Sequence, residues 1–454
     1  MKILRDYQEQ ISIKGYEILR NLGIVYFCMQ VRTGKTGTAL NTCKLYGAKK
    51  VLFLTKVKAI KSIESDYLDF GFNDYFEIKV INNESLHKVL DNDFDIIVMD
   101  EAHRLGAFPK PSKIAKDLKL RFHNKPFIFL SGTPHPESYS QVYHQFWVSD
   151  KSPFKKYINF YNWYNGTGFV KVSFDLGFGM VANYSNNKDV IYKYYAILLR
   201  NIPKDHPQYE QCKEETNKAR SLDIERMEMS NLLLQFQIDP YMISYTQIEA
   251  GFETEVIEHI LTCDLRPKTH DIINRLKKNR VIEGKDEVIL ADTAVKLMGK
   301  VHQLYSGTIK FESGNSITID NSKAWFIKKH FSGKKIGIFY KFKEELQMLK
   351  EVFKDDLTTD LDTFNITSQN IALQIVSGRE GISLAAADYL IFLNIDFSAI
   401  SYFQAKDRLT TMERKTNDVY WIFSKGGIEE KIYKTVQGKK DYTLSAFTKD
   451  FIDG

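Results

Sequence analysis

A short motif near the amino terminus combines residue types that bind phosphate. Gly34-Lys35-Thr36 follows an apolar run and precedes a segment that can form a helix. In this setting the lysine can bind the β and γ phosphates of a nucleotide, the threonine hydroxyl can bind Mg²⁺, and the amides at the helix N-terminus face the anion. Phosphate-binding loops usually have a glycine five residues before the one at Gly34, and that position is Met29 here, with Gln30 to Thr33 between them. Such a loop needs a second motif to complete a site.

Two further motifs each follow an apolar run that predicts a strand. They are Asp100-Glu101-Ala102-His103 and Ser131-Gly132-Thr133-Pro134. A carboxylate at the end of a strand can bind Mg²⁺ beside the phosphate loop, and the adjacent Glu101 can polarise a water molecule. Three motifs at strand ends, in the order that one active site requires, predict hydrolysis of a nucleoside triphosphate. Thr36 and Asp100 are the expected Mg²⁺ ligands.

The elements that would position these motifs form two sets of short apolar runs. Short β-branched and aromatic runs separated by helix-length segments indicate parallel sheets built from βαβ units. The sequence therefore predicts an α/β fold with two parallel-sheet lobes. The first set is Ile24–Met29, Val51–Thr55, Phe76–Ile81, Ile96–Met99 and Phe127–Leu130, and the second is Ile336–Tyr340, Ile371–Val376, Tyr389–Ile395 and Val419–Phe423.

The segment between the two sets changes character along its length. We predict a first lobe over residues 1–150, an insertion over 151–238 and a second lobe over 239–454. The insertion starts with loop and short-strand character and becomes helical, with interruptions at Pro203 and Pro207. Residues 239 to about 309 are expected to be mainly helical. The aromatic residues Tyr161, Trp163 and Tyr164 are expected to pack in the core rather than to contact a ligand.

The composition indicates a folded, water-soluble protein. Lys and Arg total 63 against 57 Asp and Glu, a net charge of +6 that is too small to identify a partner. The basic runs Lys110–Arg121 and Arg275–Arg280 favour solvated helix faces, with a phosphate-binding track as the alternative. Four widely spaced cysteines predict reduced thiols in a cytosolic protein. Without a signal peptide or an apolar run of about 20 residues, membrane insertion is not expected.

At this point the motifs resemble those of superfamily 2 helicases of DEAH type. The likeness is to the Swi2/Snf2-like enzymes and to small bacteriophage helicases that act on branched DNA. Gly34-Lys35-Thr36, Asp100–His103 and Ser131–Pro134 resemble motifs I, II and III of that family. The remaining likenesses are Leu4–Gln8 to the adenine-reading segment, Ile338–Tyr340 to motif IV, Ser377–Leu384 to motif V and Gln404–Arg408 to motif VI.

The resemblance implies RecA-like lobes, ATP and Mg²⁺ as ligands, and roles for individual residues. The nucleotide would contact Gln8, Thr33, Gly34, Lys35, Thr36 and Gly381. Catalysis would use Lys35, Asp100, Glu101 and Arg408, coupling would use His103, Ser131 and Thr133, and the DNA backbone would contact Thr55 and Lys56. The second arginine of motif VI falls on Thr411, so either Arg408 acts alone or Arg414 supplies that charge.

The function that the resemblance implies is ATP-driven movement on single-stranded, duplex or branched DNA. The expected activity is the opening of forks and junctions in phage replication or recombination. The enzyme is expected to be a monomer in the host bacterial cytoplasm. A duplex translocase that does not separate strands is one alternative, and RNA stays open as a substrate. A third interpretation is an ATP-gated nucleic-acid clamp with little turnover. It is motivated by the departures at Met29, Arg32 and Thr411.

Overall fold

The chain folds into two compact units, Met1–Ala250 and Gly251–Gly454. The computed structural model describes residues 2–136, 138–175, 179–252, 255–284, 286–375, 383–398, 402, 409 and 416–438. All four cysteines lie in this part and are free thiols, as predicted. No helix within these ranges combines the length and apolar character needed to cross a lipid bilayer.

The first unit is built on a parallel sheet. Its elements are α1 (Asp6–Leu22), β1 (Ile24–Met29), α2 (Lys35–Tyr46), β2 (Lys50–Thr55), α3 (Ile60–Asp69), β3 (Glu77–Asn82), β4 (Ile96–Asp100), α4 (Lys113–Phe122), β5 (Phe127–Leu130), α5 (Val142–Trp147), α6 (Phe160–Gly166), β6 (Val172–Asp175), β7 (Met180–Asn183), α7 (Lys188–Arg200), α8 (Tyr209–Ile238) and β8 (Met242–Tyr245). Six strands pair in parallel in the order β3-β2-β4-β5-β1-β8. The carboxyl ends of β1, β4 and β5 therefore lie side by side.

Alternation along the buried strands fills both faces of this sheet. In β1, Tyr26 packs in the core formed with α4 and α5, whereas Phe27 packs in the core formed with α1 and α2. Helix α1 comes very close to β1, because a Cβ at Gly15 would lie 2.4 Å from Cζ of Phe27. This close approach brings the start of α1 beside the loop that follows β1.

The region between β5 and β8 is largely helical, as predicted. It contains α6, the antiparallel hairpin β6–β7, and the helices α7 and α8. Pro203 and Pro207 lie between α7 and α8, where the sequence placed the interruption. Trp163 and Tyr164 are fully buried, and Tyr161 is 41% exposed. Packing therefore accounts for two of the three aromatic side chains.

The second unit repeats the parallel-sheet plan. Its elements are β9 (Glu255–Cys263), α9 (Pro267–Asn279), β10 (Val281–Glu283), β11 (Val288–Leu290), α10 (Ala294–Tyr305), β12 (Thr308–Lys310), β13 (Ser316–Thr318), α11 (Ser322–His330), β14 (Ile336–Tyr340), α12 (Lys343–Phe353), β15 (Leu357–Thr358), α13 (Leu361–Ile366), β16 (Asn370–Gln374), β17 (Tyr389–Phe392), β18 (Thr416–Ser424) and α14 (Glu429–Gln437). Six strands pair in parallel in the order β15-β16-β14-β17-β18-β9. The predicted fold class, two α/β parallel-sheet lobes with a helical region between them, is confirmed.

The expectation that residues 239 to about 309 are mainly helical was wrong. This stretch holds the sheet strands β8 and β9 and the hairpin β10–β11 as well as α9 and α10. Strand β9 is rich in β-branched residues and pairs along its whole length with β18. Strand β8 pairs with β1, so the chain beyond residue 239 first completes the sheet of the first unit, which extends to Ala250.

Candidate nucleotide-binding and catalytic site

The loop between β1 and α2 has the shape of an anion-binding turn. Arg32 has φ 64° and Gly34 has φ 80°, both in the left-handed region. The conformation of Gly34 favours glycine, and a Cβ there would lie 2.2 Å from Nε2 of Gln8, so a larger residue would also displace the Gln8 amide. No side chain in the described part of the chain caps the N-terminus of α2. The first amides of α2 therefore face the loop, where an anion would bind.

Lys35, the first residue of α2, points back into this loop. Its Nζ donates to the carbonyl oxygens of Met29 and Gln30, each at 3.0 Å. The hydroxyl of Thr33 donates to the same Gln30 carbonyl at 2.8 Å, and Thr33 is fully buried. The half-buried Thr36 hydroxyl makes no hydrogen bond to any described residue. The ammonium group thus lies against the backbone of the loop.

The start of α1 holds the same loop from the other side. Tyr7 Oη donates to the Thr33 carbonyl at 3.1 Å, and Gln8 Nε2 donates to the Gly34 carbonyl at 3.1 Å. The second end of the Gln8 amide, Oε1, accepts from the backbone N–H of Arg5 at 3.0 Å. Gln8 is 6% exposed. Both ends of its amide are bound within the chain, and the adenine-reading role stays a prediction.

Asp100 ends β4 with both carboxylate oxygens held. Oδ2 accepts from the Thr55 hydroxyl at 2.7 Å, and Oδ1 accepts from the Glu101 backbone N–H at 3.0 Å. Burial and then the neighbouring Glu101 carboxylate raise the pKa of Asp100 to about 6, against the opposing effects of the Thr55 hydroxyl and the Lys35 charge. Lys35 is therefore close enough to act on this carboxylate. A bound cation would favour its ionised form further.

The predicted coupling residues His103, Ser131 and Thr133 form one chain of contacts with Glu101. Glu101 has φ 53°, and its Oε2 lies 3.2 Å from Nδ1 of His103. The same ring nitrogen lies 3.0 Å from the Ser131 hydroxyl, which also accepts from the Thr133 backbone N–H at 3.1 Å. The structure brings together the candidate water-activating carboxylate and the three predicted coupling residues. Their roles stay predictions.

A buried glutamine on α5 supports the loop after β5, and no sequence motif indicated it. Gln145 is fully buried; its Nε2 donates to the carbonyl oxygens of Pro134 at 2.6 Å and Gln141 at 2.9 Å. Its Oε1 accepts from the Tyr26 hydroxyl at 2.7 Å. Gln145 thereby ties the loop after β5 to the strand that leads into the phosphate loop.

The segment after β8 is a second feature that the motifs did not indicate. The Gln30 backbone N–H donates to the Tyr245 carbonyl at 2.9 Å. The Gln247 backbone N–H donates to Oε1 of Gln30 at 2.7 Å, and its Nε2 donates to the Val31 carbonyl at 3.0 Å. The Tyr245 ring stacks on Tyr7 with ring centroids 4.8 Å apart. The phosphate loop is thus held between α1 and this segment.

The predicted DNA-contacting pair divides into two environments. Thr55 is fully buried, and because β2 pairs with β4 its hydroxyl reaches Asp100 rather than the surface. Thr55 therefore positions the candidate metal ligand in this structure. Lys56 is half-buried at the end of β2, and its contact with DNA stays a prediction.

Part of the basic run Lys110–Arg121 serves the fold. Lys119 Nζ donates to the Trp147 carbonyl at 3.0 Å and lies 4.2 Å from the centroid of that ring. The Arg121 guanidinium donates to the carbonyl oxygens of Leu86 and Val89. These two cations are engaged within the chain, which weakens the phosphate-track alternative for this segment.

Most of the motifs predicted for the second lobe lie outside the described residues. Gly381, Arg408, Thr411 and Arg414 are among these, as is all of Gln404–Arg408. The predicted motif IV is the end of β14, and the next residue, Lys341, pairs with Asp396 at 2.8 Å. The Lys341 ammonium also lies 3.9 Å from the centroid of the Phe397 ring. The structure therefore tests the site geometry on the first unit only.

Comparisons with known proteins give no family for this chain. The sequence matches no protein-family model, and no curated protein sequence matches it. The fold is similar to the Sulfolobus solfataricus SWI2/SNF2 ATPase core in complex with dsDNA, with 15% identity, 100% of this chain and 94% of that chain covered, and a TM-score of 0.38. It is also similar to the Sulfolobus solfataricus SWI2/SNF2 ATPase core domain, with 16% identity, 97% and 89% covered, and a TM-score of 0.37. At these values the likeness carries no argument about function.

Proposed function

We propose that this chain binds ATP with Mg²⁺ and hydrolyses it, and that hydrolysis drives movement on DNA. The observation that carries the proposal is the meeting of three strand-end motifs at one edge of the first sheet. Lys35 lies at the N-terminus of α2, and its charge acts on Asp100 at the end of β4. Glu101 contacts the loop after β5 through His103 and Ser131. Cation, carboxylates and helix N-terminus are the groups that phosphoryl transfer requires.

The residues at the loop fit a nucleoside triphosphate with its magnesium ion. The Thr36 hydroxyl and the Asp100 carboxylate are hard oxygen ligands, and Mg²⁺ in such sites uses one or two protein oxygens together with phosphate oxygens and water. Mg²⁺, when bound, would neutralise charge on the phosphate oxygens. Lys35 and the first amides of α2 would bind the phosphates, and Glu101 would accept hydrogen bonds from the attacking water and orient it.

The contacts of Glu101 support coupling to DNA. His103, Ser131 and Thr133 form a continuous path from Glu101 to the loop after β5. A change in this loop on DNA binding would reach Glu101 through two contacts, without any change in the phosphate loop. The DNA substrate itself, and unwinding of forks and junctions by a phage-type enzyme in the bacterial cytoplasm, are proposed from the motif resemblance. Translocation on duplex DNA without strand separation uses the same site.

The test is phosphate release from ATP without nucleic acid and with single-stranded, blunt duplex and forked DNA. Lys35→Ala and Glu101→Gln are expected to abolish turnover, because they remove the phosphate-binding cation and the water-orienting carboxylate. Loss of a transition-state contact of this kind costs about 10²-fold or more in rate. Lys14→Ala and Glu17→Gln, at exposed positions on α1, are the matched controls.

The substrate that stimulates turnover decides between the forms of the proposal. Stimulation by forks over blunt duplex supports unwinding of branched DNA, and equal stimulation by blunt duplex supports a duplex translocase. ATP binding with no phosphate release under any condition would refute hydrolysis and leave the nucleotide-gated clamp.

A further inference from the structure

The phosphate loop contains a backbone conformation that its residue type disfavours. Arg32 adopts a left-handed conformation that is strained for a residue other than glycine, so surrounding contacts must hold it. Lys35 supplies two of these contacts by donating to the Met29 and Gln30 carbonyls. In the proposed function Lys35 moves to the phosphates of the nucleotide. The carbonyls that it leaves then depend on their other neighbours.

The segment that follows β8 holds the same part of the loop through other groups. Gln247 Nε2 donates to the Val31 carbonyl at 3.0 Å, and the Gln247 backbone N–H donates to the Gln30 side chain at 2.7 Å. Gln30 in turn donates its backbone N–H to the Tyr245 carbonyl. The contacts run in both directions and join Gln30 and Val31 to Tyr245 and Gln247. They fix the first half of the loop, which the α1 contacts to Thr33 and Gly34 do not reach.

This segment is itself a rigid turn. Glu249 Oε2 accepts from the backbone N–H and the hydroxyl of Thr246, each at 2.7 Å. The Tyr245 hydroxyl donates to the Glu249 carbonyl at 2.8 Å, and the Ala250 backbone N–H donates to the Thr246 carbonyl at 3.1 Å. Tyr245 also stacks on Tyr7 of α1. Gln247 therefore projects onto the phosphate loop from a turn whose shape is already set.

We propose that Gln247 is a positioning residue for nucleotide binding and that Met242–Ala250 clamps the phosphate loop. The first unit ends at Ala250 and the chain then continues into the second unit. The clamp is thus formed by the last residues of the first unit. This inference rests on the proposed function for its consequence, although the clamp is a contact that can be tested without turnover.

Two variants separate the hydrogen bond from simple packing. Gln247→Met keeps the length and volume of the side chain but removes the donor to Val31, and Gln247→Ala removes both. Ile248→Ala is the matched control, because Ile248 lies in the same turn and is 84% exposed. Equilibrium binding of a fluorescent ADP analogue with Mg²⁺ gives the affinity. Steady-state rates with ATP, with and without duplex DNA, separate KM from kcat.

We expect Gln247→Met and Gln247→Ala to weaken nucleotide binding by about fivefold, the equivalent of one hydrogen bond of about 1 kcal/mol. The change should fall on KM more than on kcat, and Ile248→Ala should match the unaltered chain. A Gln247→Met variant with unaltered affinity would overturn the inference, because only the donor is missing. A Gln247→Ala effect that Gln247→Met does not share would also overturn it, since packing would then be responsible.

Hydrogen exchange distinguishes failure of this inference from failure of the proposed function. If the unaltered chain binds no nucleotide, the proposed function fails, yet the amides of residues 30–36 still report the clamp. Faster exchange of these amides in Gln247→Met than in Ile248→Ala would support the clamp. Equal exchange in the two variants would refute it.

Discussion

The link between Tyr26 and Gln145 gives a quantitative test of the site's buried support. Both side chains are fully buried, and the Tyr26 hydroxyl donates to Gln145 Oε1 at 2.7 Å. Burial raises the pKa of Tyr26 well above its ordinary value, so the phenol stays protonated and remains a donor. Tyr26→Phe would leave Gln145 Oε1 without this donor. Leaving a buried polar group unsatisfied costs about 1–3 kcal/mol.

A double-mutant cycle isolates this interaction. Gln145→Met removes the acceptor of Tyr26 and the donor to the Pro134 and Gln141 carbonyls, so it should cost at least as much as Tyr26→Phe. In the double variant the shared bond is lost only once. The combined effect should therefore fall short of the sum by about 1 kcal/mol, the net worth of one hydrogen bond.

Hydrogen exchange of the β1 and β5 amides is the suitable assay, because it reports the opening free energy of the first sheet in a chain with two compact units. Tyr161→Phe and Gln10→Met, at exposed positions, are the matched controls. Additivity within about 0.3 kcal/mol would show that the two residues act independently and would refute the reasoning. Gln145→Met should also lower DNA-stimulated phosphate release, since the Pro134 carbonyl loses its donor.

Two further predictions concern buried charge. Burial lowers the pKa of His144 from 6.5 to about 4. Between these pH values the imidazole is therefore protonated in the unfolded chain but neutral in the folded one. The free energy of unfolding should then fall by about 1.4 kcal/mol per pH unit as the pH drops from 6.5 towards 4. When urea unfolding is measured at a series of pH values, the free energy of unfolding of His144→Gln should depend less on pH. Lys323 and Glu429 form a fully buried ion pair at 2.6 Å, so Lys323→Met should destabilise the second unit by about 3–5 kcal/mol. Adding Glu429→Met should restore most of that loss in hydrogen exchange of β17 and β18, whereas no recovery would mean that the pair is not the cause.

The sequence was most informative where one physical rule decides the structure. Short apolar runs rich in β-branched and aromatic residues can be buried on both faces only in a covered sheet, so β1, β2, β4 and β5 were predicted nearly to the residue. Strands β8 and β9 lie at sheet edges, and half-exposed strands carry polar residues that hide their pattern. Their assignment depends on partners far away in the chain, which periodicity does not reveal.

The candidate site divides in the same way. Residues at strand ends were found because a polar motif after an apolar run is a local signal. Tyr26 and Gln145 lie 119 residues apart, and Val31 and Gln247 lie 216 apart. A glutamine on a helix or in a turn looks the same in sequence whether it faces water or a buried carbonyl. Only the tertiary structure distinguishes these supporting residues from ordinary surface glutamines.

The position of Thr55 shows why strand order matters more than proximity to a motif. A polar residue at a strand end was expected to face DNA, but β2 is the direct neighbour of β4, and the hydroxyl meets the carboxylate at the adjacent strand end. Asp100 is thus held by Thr55, whereas Glu101 is held by His103 and Ser131. Among the described residues the two carboxylates are thus held by different side chains, although Glu101 also acts on Asp100 through its charge and its backbone N–H. In the proposed enzyme, a DNA-induced change in the Ser131 loop would therefore act on the water-orienting Glu101, and hence on kcat, while the Mg²⁺-binding Asp100 and the nucleotide affinity would respond less.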